Sequence, residues 1–190
     1  MTAADAVLVV VDVQDKLLAK MPRAAELVRS VGFLLDVATA LAVPVYATEQ
    51  YPKGLGPTTA ELVRRIASPC YIKTAFSCCG ADRFLSDLRT ANRPNVVLAG
   101  MEAHVCIAQT ALDLLDAGFR VFLPLDAVQS RHKEDQDAAV WRLERAGVVP
   151  TTAEAVAFEW MRDARHPQFK TVSRLVIDRP RGDFLEPRLP

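Results

Sequence analysis

Short apolar runs alternate along the chain with longer segments whose apolar positions recur at three- and four-residue intervals. The run AVLVVVD (6–12) is rich in β-branched residues and reads as a strand, whereas RAAELVRSVGFLLDVATALA (23–42) has the helical period. PVYATE (44–49) reads as a second strand. The Pro- and Gly-rich QYPKGLGP (50–57) reads as a loop, ending where TTAELVRRI opens a helix. YIK (71–73), NVVLAG (95–100), RVFLPLD (120–126) and VVPT (148–151) complete a set of six strands. Between them fall helices over GADRFLSDLRT (80–90), residues 104–117 and KEDQDAAVWRLERAG (133–147), the last closed by its glycine. TAEAVAFEWM forms a further helix, with Thr151 or Thr152 as its cap.

Strands that are apolar on both faces and joined by helices predict an α/β protein. The expected architecture is a three-layer Rossmann-like sandwich with a mostly parallel six-stranded sheet and helices on both faces. At 190 residues the chain has the length of one domain with a sizeable core, and neither a repeat nor a low-complexity linker divides it. Its 23 basic and 23 acidic residues balance, so charge gives no reason to expect nucleic acid or an anionic membrane surface as a partner. No apolar run approaches the roughly 20 residues needed to span a bilayer. The opening MTAADAVLVVVDVQD lacks a basic region before its apolar run and reads as a first strand, not a signal peptide, so the expected location is the cytoplasm. Cys70, Cys78, Cys79 and Cys106 contain no C-x-x-C spacing and the histidines complete no zinc pattern, so reduced thiols are expected.

In a parallel sheet wrapped by helices, ligands bind at the carboxyl ends of the strands. The polar residues there are Asp12 after the first strand, Glu49 and Gln50 after the second, Lys73 after the third, and the Gly100–Cys106 turn after the fourth. Each has an ordinary reading beside a chemical one. Asp12 is a helix cap or loop charge, or a partly desolvated carboxylate able to act as a base. Lys73 is an edge charge that snorkels outward, or a cation acting on a neighbouring carboxylate and thiol. Cys106 is a small buried hydrophobe, or a nucleophile in the first turn of a helix. There the helix N-terminus favours the thiolate, and GMEAH can aim N–H groups at an oxyanion. Cys70, Cys78 and Cys79 lack this setting and read as structural. No histidine suits a Cys–His dyad: His132 and His166 lie in polar segments, and His104, two residues before Cys106, points to another helix face.

The motifs VVVDVQ, TEQYPKGLGPT, IKTAFS, GMEAHVCIAQT and LDAVQSR occur in this order, and with them the chain resembles the isochorismatase-like cysteine hydrolase family. Within it the chain is most similar to the isochorismatase-domain-containing subgroup, whose tail resembles HPQFKTVSRL here. The resemblance implies a hydrolase domain over residues 1–177, followed by a tail at 178–190. It also implies a triad of Asp12, Lys73 and Cys106, and a cis bond between Met101 and Glu102. That bond would turn the Glu102 N–H inward, to form an oxyanion hole with the N–H of Cys106. Gln14, Gln50, Tyr51 and Phe76 come from loops at the same rim and are candidates for the substrate pocket, against ordinary loop packing.

The nicotinamidase branch of the family binds a metal through an Asp and histidines after its second strand. TEQYPKGLGP has no histidine there, so neither a metal nor another cofactor is expected. Isochorismatases that cleave a vinyl ether can lack the cysteine, and its presence points to acyl chemistry. The implied activity is cleavage of a small-molecule amide C–N bond through a thioester on Cys106. A vinyl-ether hydrolase and a non-catalytic scaffold are the alternatives. The charge of Glu102 beside the oxyanion hole favours a neutral or cationic substrate. Self-association in the family makes a homo-oligomer the expectation, with the segment from Gln168 onward as an exposed arm.

Overall fold

In the computed structural model, which describes residues 1–68 and 70–179, the centre of the sheet is β1 (Ala6–Val11), buried at every position. Its side chains alternate between two cores, as the two-residue period of a strand requires. Ala6, Leu8 and Val10 face a layer of α2 (Ala24–Ala40), α8 (Ala153–Met161) and α9 (Phe169–Ile177), where Leu34, Leu35, Trp160 and Val172 are buried. Val7, Val9 and Val11 face α5 (Phe84–Thr90), α6 (Ala108–Asp116) and α7 (Lys133–Arg145), through Phe84, Leu88, Leu114 and Leu143. Each fully buried aliphatic side chain of this kind contributes roughly 1.5–3 kcal/mol. Two such cores, one on each face, make the three layers.

The remaining strands are β2 (Val45–Gln50), β3 (Tyr71–Lys73), β4 (Asn95–Met101), β5 (Arg120–Pro124), β6 (Val128–Gln129) and β7 (Val149–Thr151). They run in the order β3-β2-β1-β4-β5-β7, every pair parallel, with β6 beside β4. The six expected strands are therefore joined by a seventh. RVFLPLD does not continue as one strand: β5 stops at Pro124, which has no N–H for a ladder, and the chain turns at Leu125–Ala127. It then rejoins the outer end of β4 as β6, pairing Gly100 with Val128 and Met101 with Gln129. A two-residue strand has no periodicity to read.

Three helical segments depart from the sequence pattern. Single helical turns form as α1 (Asp15–Leu18), a stretch assigned no element from sequence, and as α3 (Pro52–Leu55), within the expected loop 50–57, and TTAELVRRI contributes only α4 (Ala60–Val63). Thr152, rather than Thr151, caps α8 by accepting from the Ala155 N–H at 3.2 Å. The described part of the expected arm, 168–179, is no exposed arm. It folds as α9, burying Val172 and packing Phe169 and Val176 on the α2 core, a three- and four-residue spacing present in the sequence. Arg179 fastens its end, reaching Asp126 Oδ2 and Ser30 Oγ at 2.8 Å each while its guanidinium lies over the Phe33 ring. Most of the expected 178–190 tail lies outside the described residues. Among the described residues no helix is long and apolar enough to cross a membrane.

Candidate active site

The carboxyl ends of β3, β2, β1 and β4 lie side by side, and the polar residues that end them converge. Asp12 follows β1 in a left-handed conformation (φ 54°), which an aspartate tolerates better than most residues. Its carboxylate is completely buried. Lys73 ends β3, two strands away, and its ammonium reaches across β2 to Asp12 Oδ2 at 2.7 Å. Gly100, the partner of Val11 in β4, has φ +124°, and a Cβ there would collide with the Val11 carbonyl oxygen. That close approach lets β4 deliver the Glu102–Cys106 turn alongside Asp12.

Burying an ammonium and a carboxylate together is tolerable only when the remaining donors and acceptors are also satisfied. Here they are. Lys73 Nζ also reaches Gln50 Oε1 at 2.7 Å, the Phe76 carbonyl at 2.9 Å and the Ala75 carbonyl at 3.3 Å. Asp12 Oδ1 accepts from the Thr48 hydroxyl at 2.8 Å. Burial alone would lower the Lys73 pKa, but the charge and hydrogen bond of Asp12 outweigh it and hold the ammonium above its ordinary value.

Cys106 is 7% exposed and lies near both. Burial, first, and then the negative charge of Asp12 push its thiol up to about 12, against the opposing pull of Lys73. The expected thiolate is thus replaced by a neutral thiol at rest. The regular helix begins only at Ala108, and Cys106 sits before it in a wide turn, Ala103–Ile107. The Glu102 carbonyl there accepts from the N–H groups of Val105 and Ile107, both at 3.1 Å. The Met101–Glu102 peptide is cis. Among the described residues, the Glu102 N–H has no protein acceptor.

The Glu102 side chain is not an isolated charge at the rim, contrary to the expectation from sequence. Its Oε2 accepts from Arg131 Nε at 2.9 Å and from the Arg131 N–H at 3.2 Å, so its charge is compensated. His104 faces the same loop, with Nδ1 3.0 Å from Ser130 Oγ and Nε2 3.7 Å from Asp135, and is not a partner for Cys106. Of the four pocket candidates, Gln14 is completely buried. Its amide is committed to the backbone, donating to the Gln50 and Gly56 carbonyls and accepting from the Gln50 N–H. Gln50 braces Lys73 and donates to the Thr74 carbonyl. Tyr51 and Phe76 flank Lys73 with exposed rings, the Tyr51 N–H donating to the Lys73 carbonyl at 2.8 Å. Thr48 and Arg131 have no reading from sequence, and Cys78, read there as structural, touches the Thr48 hydroxyl that holds Asp12. The signal for Thr48 is its place in the polar run TEQ that ends β2.

Comparisons with known proteins identify the family and the fold. A family model described as the Isochorismatase domain matches residues 6–155. Isochorismatase domain-containing protein 2 of Bos taurus is 44% identical over 151 residues, covering 80% of this chain and 73% of the relative. The solved MAR1 ribonuclease of Caenorhabditis elegans matches with a TM-score of 0.90 and 35% identity, over 97% of this chain and 96% of that one. YcaC from Pseudomonas aeruginosa, with hexane-2,5-diol and covalent acrylamide, matches with a TM-score of 0.82 and 25% identity, over 93% and 95%.

Proposed function

The chain belongs to the isochorismatase domain family and is a hydrolase; from that premise we propose that it cleaves a small-molecule amide C–N bond through a thioester on Cys106. The observation that carries this reading is the buried Asp12 carboxylate, held by Lys73 and Thr48 beside the neutral Cys106 thiol. As sulfur attacks the carbonyl carbon, the thiol proton passes to Asp12 and the carbonyl electron pair moves to oxygen. The N–H groups of Glu102 and Cys106 receive that oxyanion, a donor type whose removal costs ~10²–10³ in rate. Asp12 then gives the proton to the departing amine as the C–N bond breaks. Water, losing a proton to Asp12, attacks the thioester and releases the acid, and the proton returns to sulfur.

The free Glu102 N–H supports its place in the oxyanion hole. The covalent acrylamide of the Pseudomonas relative supports a nucleophile in that protein. Pairing of Glu102 with Arg131 leaves no net charge at the turn, which supports a neutral substrate. A ribonuclease activity, taken from the name of the C. elegans neighbour, finds less support. The cation of the triad is committed to Asp12, Gln50 and two carbonyls rather than available to a phosphate. We propose a homo-oligomer as well, supported by the exposed Tyr51, Ile72 and Phe76 beside the edge strand β3; light scattering tests it, and a monomer would refute it.

Ammonia release from a panel of small amides tests the reaction, with pyruvate release from isochorismate and cleavage of RNA as competing readouts. Cys106→Ala, Asp12→Ala and Lys73→Ala are each expected to abolish amide turnover. Full activity in Cys106→Ala would overturn the assignment of the nucleophile.

A further inference from the structure

Beside the triad lies a buried hydroxyl that takes no part in the bond changes proposed above. Thr48 lies in β2 in register with Val11, the residue before Asp12, and is 1% exposed. Its Oγ1 has two partners, Asp12 Oδ1 at 2.8 Å and the Cys78 sulfur at 3.6 Å. A hydroxyl has a single proton, and a carboxylate can only accept, so that proton goes to Asp12. The sulfur is then the donor to Thr48. Cys78 can supply that proton because burial holds it as a thiol, pushed up to about 12. Cys78 is itself pinned by its N–H, which donates to Thr110 Oγ1 at 2.9 Å. A buried chain runs from Cys78 through Thr48 to Asp12.

We infer that Thr48 is a positioning residue for this site: its hydroxyl fixes Asp12 Oδ1 as Lys73 fixes Oδ2, and so sets the plane in which the carboxylate meets the Cys106 proton. A carboxylate held at one oxygen pivots about that contact, whereas one held at both does not. Lys73 anchors its side firmly because three further acceptors restrain the ammonium. Thr48 touches no reacting atom and acts through Asp12 alone. The inference rests on reading Cys106 as nucleophile and Asp12 as its base, and the test separates the two.

The probe is iodoacetamide, applied near neutral pH to the full chain and mapped to Cys106 by mass spectrometry. It is applied to the wild type, Asp12→Asn, Thr48→Val and Thr48→Ser. Valine keeps the shape of threonine without the proton; serine keeps the proton but loses a buried methyl. Asp12→Asn is expected to slow labelling of Cys106, because loss of the base outweighs loss of the negative charge that holds the thiol up. Thr48→Val is expected to slow it about tenfold, the loss associated with a hydrogen bond to a charged acceptor. Thr48→Ser is expected to restore most of the rate while being less stable than the wild type in urea. That split between stability and reactivity is one that a purely structural role would not produce. Slow labelling in Asp12→Asn with wild-type labelling in Thr48→Val would overturn the role of Thr48 alone. Labelling of Asp12→Asn at or above the wild-type rate would overturn the reading of Asp12 as the base. Should the valine variant fail to fold, Thr48→Ala against Thr48→Ser isolates the hydroxyl, and equal rates in that pair overturn the inference.

Discussion

Replacing Lys73 with methionine is expected to cost about 3–5 kcal/mol of folding free energy, the range for removing one partner of a buried ion pair. The structure argues for the upper part of that range. Both side chains are 0% exposed and 2.7 Å apart. Methionine fills the volume of the stem but leaves the buried carboxylate with Thr48 as its side-chain donor, and strips Gln50 Oε1 and the Phe76 carbonyl of theirs. At an effective dielectric of ~20, two charges at this separation attract by roughly 6 kcal/mol, most of which offsets the desolvation of the two ions. Asp12→Asn is expected to cost less, about 1–3 kcal/mol. The ammonium keeps three neutral acceptors, and asparagine tolerates the left-handed backbone at this position. In the double variant neither charge is stranded, so its cost should fall below the sum of the singles by at least about 2 kcal/mol. Urea melts of the four proteins, compared by midpoint and slope, close the cycle. Additivity to within about 0.5 kcal/mol would refute the reasoning, because independent sites add to that precision.

Gly100→Ala forces a Cβ into the Val11 carbonyl at φ +124°, so a loss above about 4 kcal/mol or failure to fold is expected; a variant melting with the wild type would contradict that close approach. Cys78 is raised from an ordinary value near 9 to about 12 in the folded state, so the unfolded chain loses its proton first and stability falls as pH rises through that window. The contribution is up to about 1.4 kcal/mol per pH unit, and Cys78→Ala should flatten the fall measured by urea melts between those values; identical slopes would count against the buried thiol. Arg179→Ala removes the guanidinium from Asp126, Ser30 and the Phe33 ring. A loss of about 2–3 kcal/mol is expected, with faster amide exchange across Phe169–Ile177, and unchanged exchange there would show that Arg179 does not hold the helix.

The parts of the fold that could be read from sequence are those in which one residue type repeats with one period. The unbroken Val/Leu run of β1 and the three- and four-residue spacing of α2 fall in this class, and so does the rim at the strand ends, which follows from the parallel topology. What could not be read depends on contacts between distant segments. β6 exists because β4 extends past Pro124 and has a free edge to offer, not because Val128 and Gln129 favour a strand. Gln14 looked like a pocket amide from its place after β1, yet the loop 50–56 folds over it and consumes its hydrogen bonds. Glu102 carried a formal charge in the sequence, and only the return of the chain at Arg131 cancels it. Cys106 is the clearest case. Its position before a helix argued for a thiolate, and the burial that outweighs the helix terminus is a property of the whole packed rim.

That neutral thiol changes how the site must work. A resting thiolate would place a second negative charge beside Asp12 in a buried space, with Lys73 alone to offset both. With the proton kept on sulfur, the buried group carries one negative and one positive charge at rest. When the proton moves to Asp12 as sulfur attacks, the negative charge moves to the developing oxyanion while Lys73 stays positive, so the net charge of the site is zero before and after the step. Low dielectric penalises a change in net charge far more than a redistribution of it. Burial therefore disfavours the free thiolate without disfavouring attack coupled to proton transfer. This makes Asp12, and the groups that aim it, as necessary to the proposed reaction as the cysteine itself.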